Sequence, residues 1–151
     1  MSYATVKDVL EYSRKLHEHA SNLYQQLRDQ TQRDRVDMML KLLSQHEDGL
    51  AEAMARICSN TAQRVLEEWH QFEPGSISEA LHECRECHPD MSVDELSAIA
   101  LRIDDYLINL YRYMASEATS DASRQLFDGL VQLLENEKVR TVRAALSVND
   151  W

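Results

Sequence analysis

Residues 84–88 read Cys-Arg-Glu-Cys-His, the spacing of a covalent c-type haem site. In bacteria that haem is attached to exported chains. The opening stretch MSYATVKDVLEYSRKLHEH has no apolar signal core, which argues against it. The same segment offers His82, Cys84, Cys87 and His88 as imidazole and thiolate ligands for zinc or iron. A tetrahedral ion needs four donors spread around it. One helical turn can hardly wrap all four around one ion, and no second Cys-x-x-Cys follows, so Cys58 or a second subunit would have to complete the set. A redox dithiol needs a lowered thiolate pKa, which Glu83 and Glu86 oppose. The preferred reading is packing: Leu81, Cys84 and one of Cys87 or His88 seat a short amphipathic helix, cysteine acting as a small apolar residue.

A second set of residues interrupts apolar stripes. His17 lies seven after Leu10 and seven before Tyr24, and Glu47 lies four after Leu43 and seven before Met54. Asp104 lies four after Ala100 and seven before Tyr111, and Glu137 lies seven after Leu130, with Arg140 three further on. Burying a lone charge is costly, so such groups must pair, bind metal or change protonation state. For each residue alone, the competing reading is a partly exposed position at the edge of its stripe. One per stripe, at matching depth, argues for a shared centre. His19, His46 and His70 show no ligand spacing. His46 points about 100° away from Glu47 on a helix and is expected to be exposed or at an interface.

The elements that must position these residues are long helices. Apolar side chains recur at helical spacing over about 4–30, 34–58, 93–117 and 121–146. The last stripe runs through Leu126, Phe127, Leu130, Leu133, Leu134, Val142, Ala145 and Leu146. Only three glycines and two prolines interrupt the chain. The first two and the last two helices are joined by a few residues, which makes each pair antiparallel. Between the pairs lies a crossover of about 59–92, with short helices expected in TAQRVLEEWHQFEP and SISEALHECREC. Ser76 with Glu79, and Ser92 with Glu95, have capping-box spacing, just after Pro74 and Pro89. Trp69, Phe72 and Trp151 are expected as packing anchors, with the crossover and C-terminus as a dimer surface. The fold class is all-α, one domain over 1–151: two antiparallel helical hairpins joined by a long crossover. The two halves look alike, which suggests a duplicated hairpin.

On these residues the chain resembles the rubrerythrin-like branch of the ferritin-like proteins, over the four main helices. That resemblance implies a ferritin-like four-helix bundle. Such proteins hold two metals with a Glu from helices one and three and a Glu-x-x-His from helices two and four. LHEHASNLYQQL is similar to the first helix, with His17 in place of the glutamate. LLSQHEDGLAEAM keeps Glu47 but has Leu50 for histidine, and RIDDYLINLYRYMA has Asp104 in the third ligand place. LLENEKVRTVRAAL keeps Glu137 but has Arg140 for histidine. The resemblance therefore implies a degenerate dimetal site. Arg140, with His17, is expected to occupy the space of the lost metals and neutralise Glu47, Asp104 and Glu137 as an internal charge network. The alternative is a residual iron, manganese or zinc site at His17, Glu47, Asp104 and Glu137, which Arg140 opposes by repelling a cation.

The net charge of −10, with no basic stripe, excludes nucleic acid and anionic membrane as partners. No run is long enough to span a bilayer. Neither a Gly-rich phosphate loop nor a Gly-x-Ser-x-Gly elbow occurs. The expectation is a cytoplasmic protein with reduced thiols and no cofactor, non-enzymatic, acting as a homodimer or through protein contacts. The competing expectation is a metal-dependent oxidoreductase or redox protein using the bundle ligands or the Cys84/Cys87 pair.

Overall fold

The computed structural model describes residues 2–72 and 75–150, leaving aside the side chains of residues 2 and 76. The expected Ser76–Glu79 cap, Pro74 and the Trp151 anchor lie outside the described set. Four long helices dominate: α1 (Val6–Gln30), α2 (Asp34–Asn60), α5 (Val93–Ser116) and α6 (Asp121–Asn149). Their ends fall within about two residues of the sequence expectation, apart from the last, which runs three further.

Capping sets two of the starts. The Thr5 hydroxyl accepts from the Asp8 N–H at 3.1 Å, and the Asp8 carboxylate accepts from the Thr5 N–H at 3.1 Å. Ser92 and Glu95 make the same reciprocal pair at the head of α5, as their spacing foretold. Ser120 caps the start of α6: its hydroxyl accepts from the Ser123 N–H.

Side-chain pairs fix the directions. His17 meets Glu47 and Ser21 meets Ser44, so α1 and α2 run antiparallel. Arg112 meets Glu135, Lys138 meets Asp105 and Asn149 meets Asp94, so α5 and α6 do too. The hairpins join across one core: the Tyr111 hydroxyl donates to Ser13 Oγ at 2.6 Å, and Tyr111 stacks on Phe127. Tyr24, Tyr111, Phe127, Ile103 and Leu107 are fully buried there. Each large side chain of this kind contributes roughly 1.5–3 kcal/mol by leaving water.

The crossover departs from expectation. It holds α3 (Gln63–Leu66), a strand β2 (Trp69–Phe72) and α4 (Gly75–Arg85). β2 pairs antiparallel with β1 (Ser2–Thr5), in the register Ser2 to Phe72 and Thr5 to Trp69. A helix had been expected over residues 69–72. The stretch alternates instead, with His70 and Phe72 buried and Trp69 exposed, and its aromatics favour a pleated surface. Phe72 anchors as expected and stacks on Tyr12; Trp69 does not.

The α6 stripe also needs correction. Val142 and Leu146 were expected inside, yet with Val139 they are 44%, 61% and 48% exposed. Phe127, Leu130, Leu134, Ala145 and Val148 form the buried line instead. Leu134, Glu137, Thr141, Ala145 and Val148 follow that line in steps of three and four, and Val142 and Leu146 each lie one residue past it, about 100° round the helix. Among the described residues no helix is long and apolar enough to cross a membrane.

Candidate functional site

The four stripe-breaking residues are all buried, one from each long helix: His17 from α1, Glu47 from α2, Asp104 from α5 and Glu137 from α6. A helix of mixed composition can hold such a residue inside because the apolar positions three, four and seven away already face the core. Nδ1 of His17 lies 2.6 Å from Glu47 Oε2 in a hydrogen bond shared wholly inside the protein. The His17 Nε2 atom has no hydrogen-bond partner among the described residues.

Glu137 has two basic neighbours of different kinds, an imidazole and a guanidinium. His46, expected outside, is buried, and its Nδ1 lies 3.2 Å from Glu137 Oε1. The two atoms are close but not aligned as a hydrogen bond, and among the described residues neither has another partner. On the other side Arg140 Nη1 donates to Glu137 Oε2 at 3.2 Å.

That placement corrects the expected charge network. The Arg140 side chain is 62% exposed and reaches Glu137 from the surface, one turn along α6. Among the described residues no ion pair joins it to Glu47 or Asp104. A long arginine can keep its guanidinium in water while its stem lies on the protein, and that costs less than desolvating the charge. Inside, His17 and His46 stand against the carboxylates instead.

Asp104 makes no hydrogen bond among the described residues. Burial, reinforced by the nearby charges of Glu47 and Glu137, pushes its carboxyl well above the ordinary range. Burial also raises Glu137, more than Arg140 lowers it. Burial, helped by Arg140, lowers His46. The centre is thus short of positive charge. Tyr24 lies beside it, fully buried, its hydroxyl without a partner among the described residues and its pKa raised by burial and then by Glu47.

A two-metal centre does not fit this donor set. Leu50 and Arg140 stand where the family pattern has histidines, and Leu50 is a buried apolar residue. Among the described residues no three His, Cys, Asp or Glu side chains are grouped so as to hold one ion.

The crossover motif is divided by its own helix end. Cys84 and Cys87 are buried, while His82 and His88 are exposed, so the four do not face one point. His82 sits 3.5 Å from Glu86 instead. Burial first, then Glu47, pushes the Cys84 thiol up to about 12; burial first, then Glu83, pushes Cys87 up to about 11. Thiols in that state are weak nucleophiles and poor metal ligands at neutral pH. Cys84 and Cys87 belong to the core cluster, with Leu81 packed against it.

Sequence reasoning missed His46, although a signal was there. Met39, Leu43, His46, Leu50 and Ala53 form a run of alternating four- and three-residue steps, and all five are buried. His46 continues the apolar stripe on the side that meets α6. The polar strip formed by Ser21, Ser44, Gln25 and Asp48 was also missed: Ser21 Oγ donates to Asp48 Oδ1 at 2.5 Å, and Gln25 Nε2 donates to Ser44 Oγ at 3.0 Å. Ser21 and Ser44 are buried, and serine carries little periodic signal in either direction. No protein-family model, curated protein or solved structure matches the chain.

Proposed function

We propose that this chain is a rubrerythrin-like, ferritin-like bundle whose centre is held by histidine–carboxylate pairs in place of two metals. Its role is non-enzymatic, exercised through contacts with other protein chains. The carrying observation is the 2.6 Å contact of His17 Nδ1 with Glu47 Oε2: an imidazole lies against a carboxylate that the resemblance reserves for metal. His46 beside Glu137 sets a second imidazole against a carboxylate, between α2 of the first hairpin and α6 of the second. Two imidazoles inside and Arg140 at the rim take the places beside Glu47 and Glu137 that metal ions hold in the family pattern.

A second reading, a metal-dependent oxidoreductase or redox protein, draws on one specific feature. Among the described residues His17 Nε2 and Glu137 Oε1 lack hydrogen-bond partners, and Asp104 is buried beside like charges that Lys138 offsets only in part. A bound iron, manganese or zinc ion at any of these atoms would offset that cost. Equilibrium unfolding separates the readings. The metal-free reading expects the same urea midpoint with chelator as with added iron, manganese or zinc. A midpoint that rises with one of these ions and falls with chelator supports the second.

A further inference from the structure

We propose that the outer face of α6 is a two-fold contact between two copies of this chain, with Val139 near the axis. Of the six large apolar side chains exposed among the described residues, three stand on this helix at Val139, Val142 and Leu146, spaced by three and four. They share one face, outside the buried line of Leu134, Ala145 and Val148. Beside them a groove of about 410 Å³ runs between α5 and α6, walled by Leu101, Val139 and Val142 and rimmed by Glu135, Lys138 and Arg143. A continuous apolar strip of this kind on an otherwise acidic surface marks a docking face.

The charges on the rim identify the occupant. Glu135 lies four residues before Val139 and Arg143 four after, so all three fall on one row of the helix. A two-fold axis through Val139 sets each residue against the one at equal and opposite offset. Each Glu135 then meets the second copy's Arg143, Val139 meets its own counterpart, and Val142 and Leu146 lie over the stems of the second copy's Asn136 and Gln132. Nucleic acid or an anionic lipid would need a cationic rim. Glu135 opposes that, and Lys138 and Arg140 are already neutralised by Asp105 and Glu137. The rim is self-complementary rather than basic. Glu135 also accepts from Arg112 at 3.1 Å, an exposed pair that leaves the carboxylate free to accept a second donor.

The inference rests on the reading of this chain as an interaction protein, but its test does not involve the buried centre. Sedimentation velocity on the whole chain is expected to give twice the chain mass at high micromolar concentration. Val139→Asp is expected to give the single mass with an unchanged helical circular dichroism spectrum. Glu135→Arg alone and Arg143→Glu alone should each weaken association by roughly tenfold or more, since like charges then face each other. The combined Glu135→Arg/Arg143→Glu chain should regain most of that loss. A wild-type chain of single mass, a dimer indifferent to Val139→Asp, or a double swap no better than either single change would each overturn the proposal.

Discussion

Nδ1 of His17 and Oε2 of Glu47 meet at 2.6 Å, thirty residues apart in the chain and shut off from water. Removing one partner leaves the other buried and unpaired, which costs about 3–5 kcal/mol. Replacing both with apolar side chains removes the desolvation penalty along with the attraction. Glu47→Leu alone should therefore destabilise by roughly 3 kcal/mol or more in urea unfolding. The double change His17→Leu/Glu47→Leu should recover a substantial part of that. Strictly additive losses would show that the two residues do not act as a pair.

Asp104 gives stability a defined slope with pH. Its folded pKa lies above its unfolded value, so the folded state holds the proton more tightly. The associated stability is fully present below the unfolded value near 4 and is lost as pH rises through the folded value. At pH 7 the buried carboxylate is thus a burden. Asp104→Asn should raise stability at pH 7 by about 1 kcal/mol or more, on the scale of a buried unpaired polar group, and leave it little changed near pH 4. A loss of stability at pH 7 would contradict this.

His46 works in the opposite sense. Burial and Arg140 hold its folded pKa below the unfolded value, so its contribution is present above about 6.5 and lost as pH falls through the window beneath it. Comparing His46→Gln with wild type between pH 7.5 and 5 should show a flatter decline in the variant. An equal or steeper decline would place the titration elsewhere.

Arg140 tests where the charge balance lies. Its guanidinium is mostly in water, and an exposed ion pair contributes about 0–1 kcal/mol. Arg140→Gln should change unfolding stability by less than about 1 kcal/mol. A loss of several kcal/mol would mean that the arginine is the internal counter-ion after all.

The thiols of Cys84 and Cys87 are buried and pushed to about 12 and about 11, whereas Cys58 is half-buried. An aromatic disulfide reagent at pH 8 should label Cys58 first in the folded protein and all three cysteines in denaturant. Rapid labelling of Cys84 or Cys87 in the folded chain would revive the reactive reading of that motif.

The long helices were legible because burial of one face imposes a 3.6-residue period over twenty or more residues, and Ser92 with Glu95 marked a start by local hydrogen bonding alone. The mid-stripe residues His17, Glu47, Asp104 and Glu137 were legible on the same ground. Arg140 was placed inside because it shares a helical face with Glu137, but period does not tell where a long flexible side chain carries its charge. His46 was placed outside because its angle was measured from Glu47, when the neighbour that buries it is α6. Strand β2 was missed because four residues are too few for a period, and its partner β1 lies more than sixty residues away.

The most direct test of a centre held by histidine–carboxylate pairs is metal content. Protein purified without chelator would be measured by elemental mass spectrometry together with an optical spectrum. The expected result is iron, manganese and zinc far below one atom per chain, with no absorbance beyond that of the aromatic residues. One or two atoms of any of these metals per chain, lost in the Glu47→Leu variant, would contradict it.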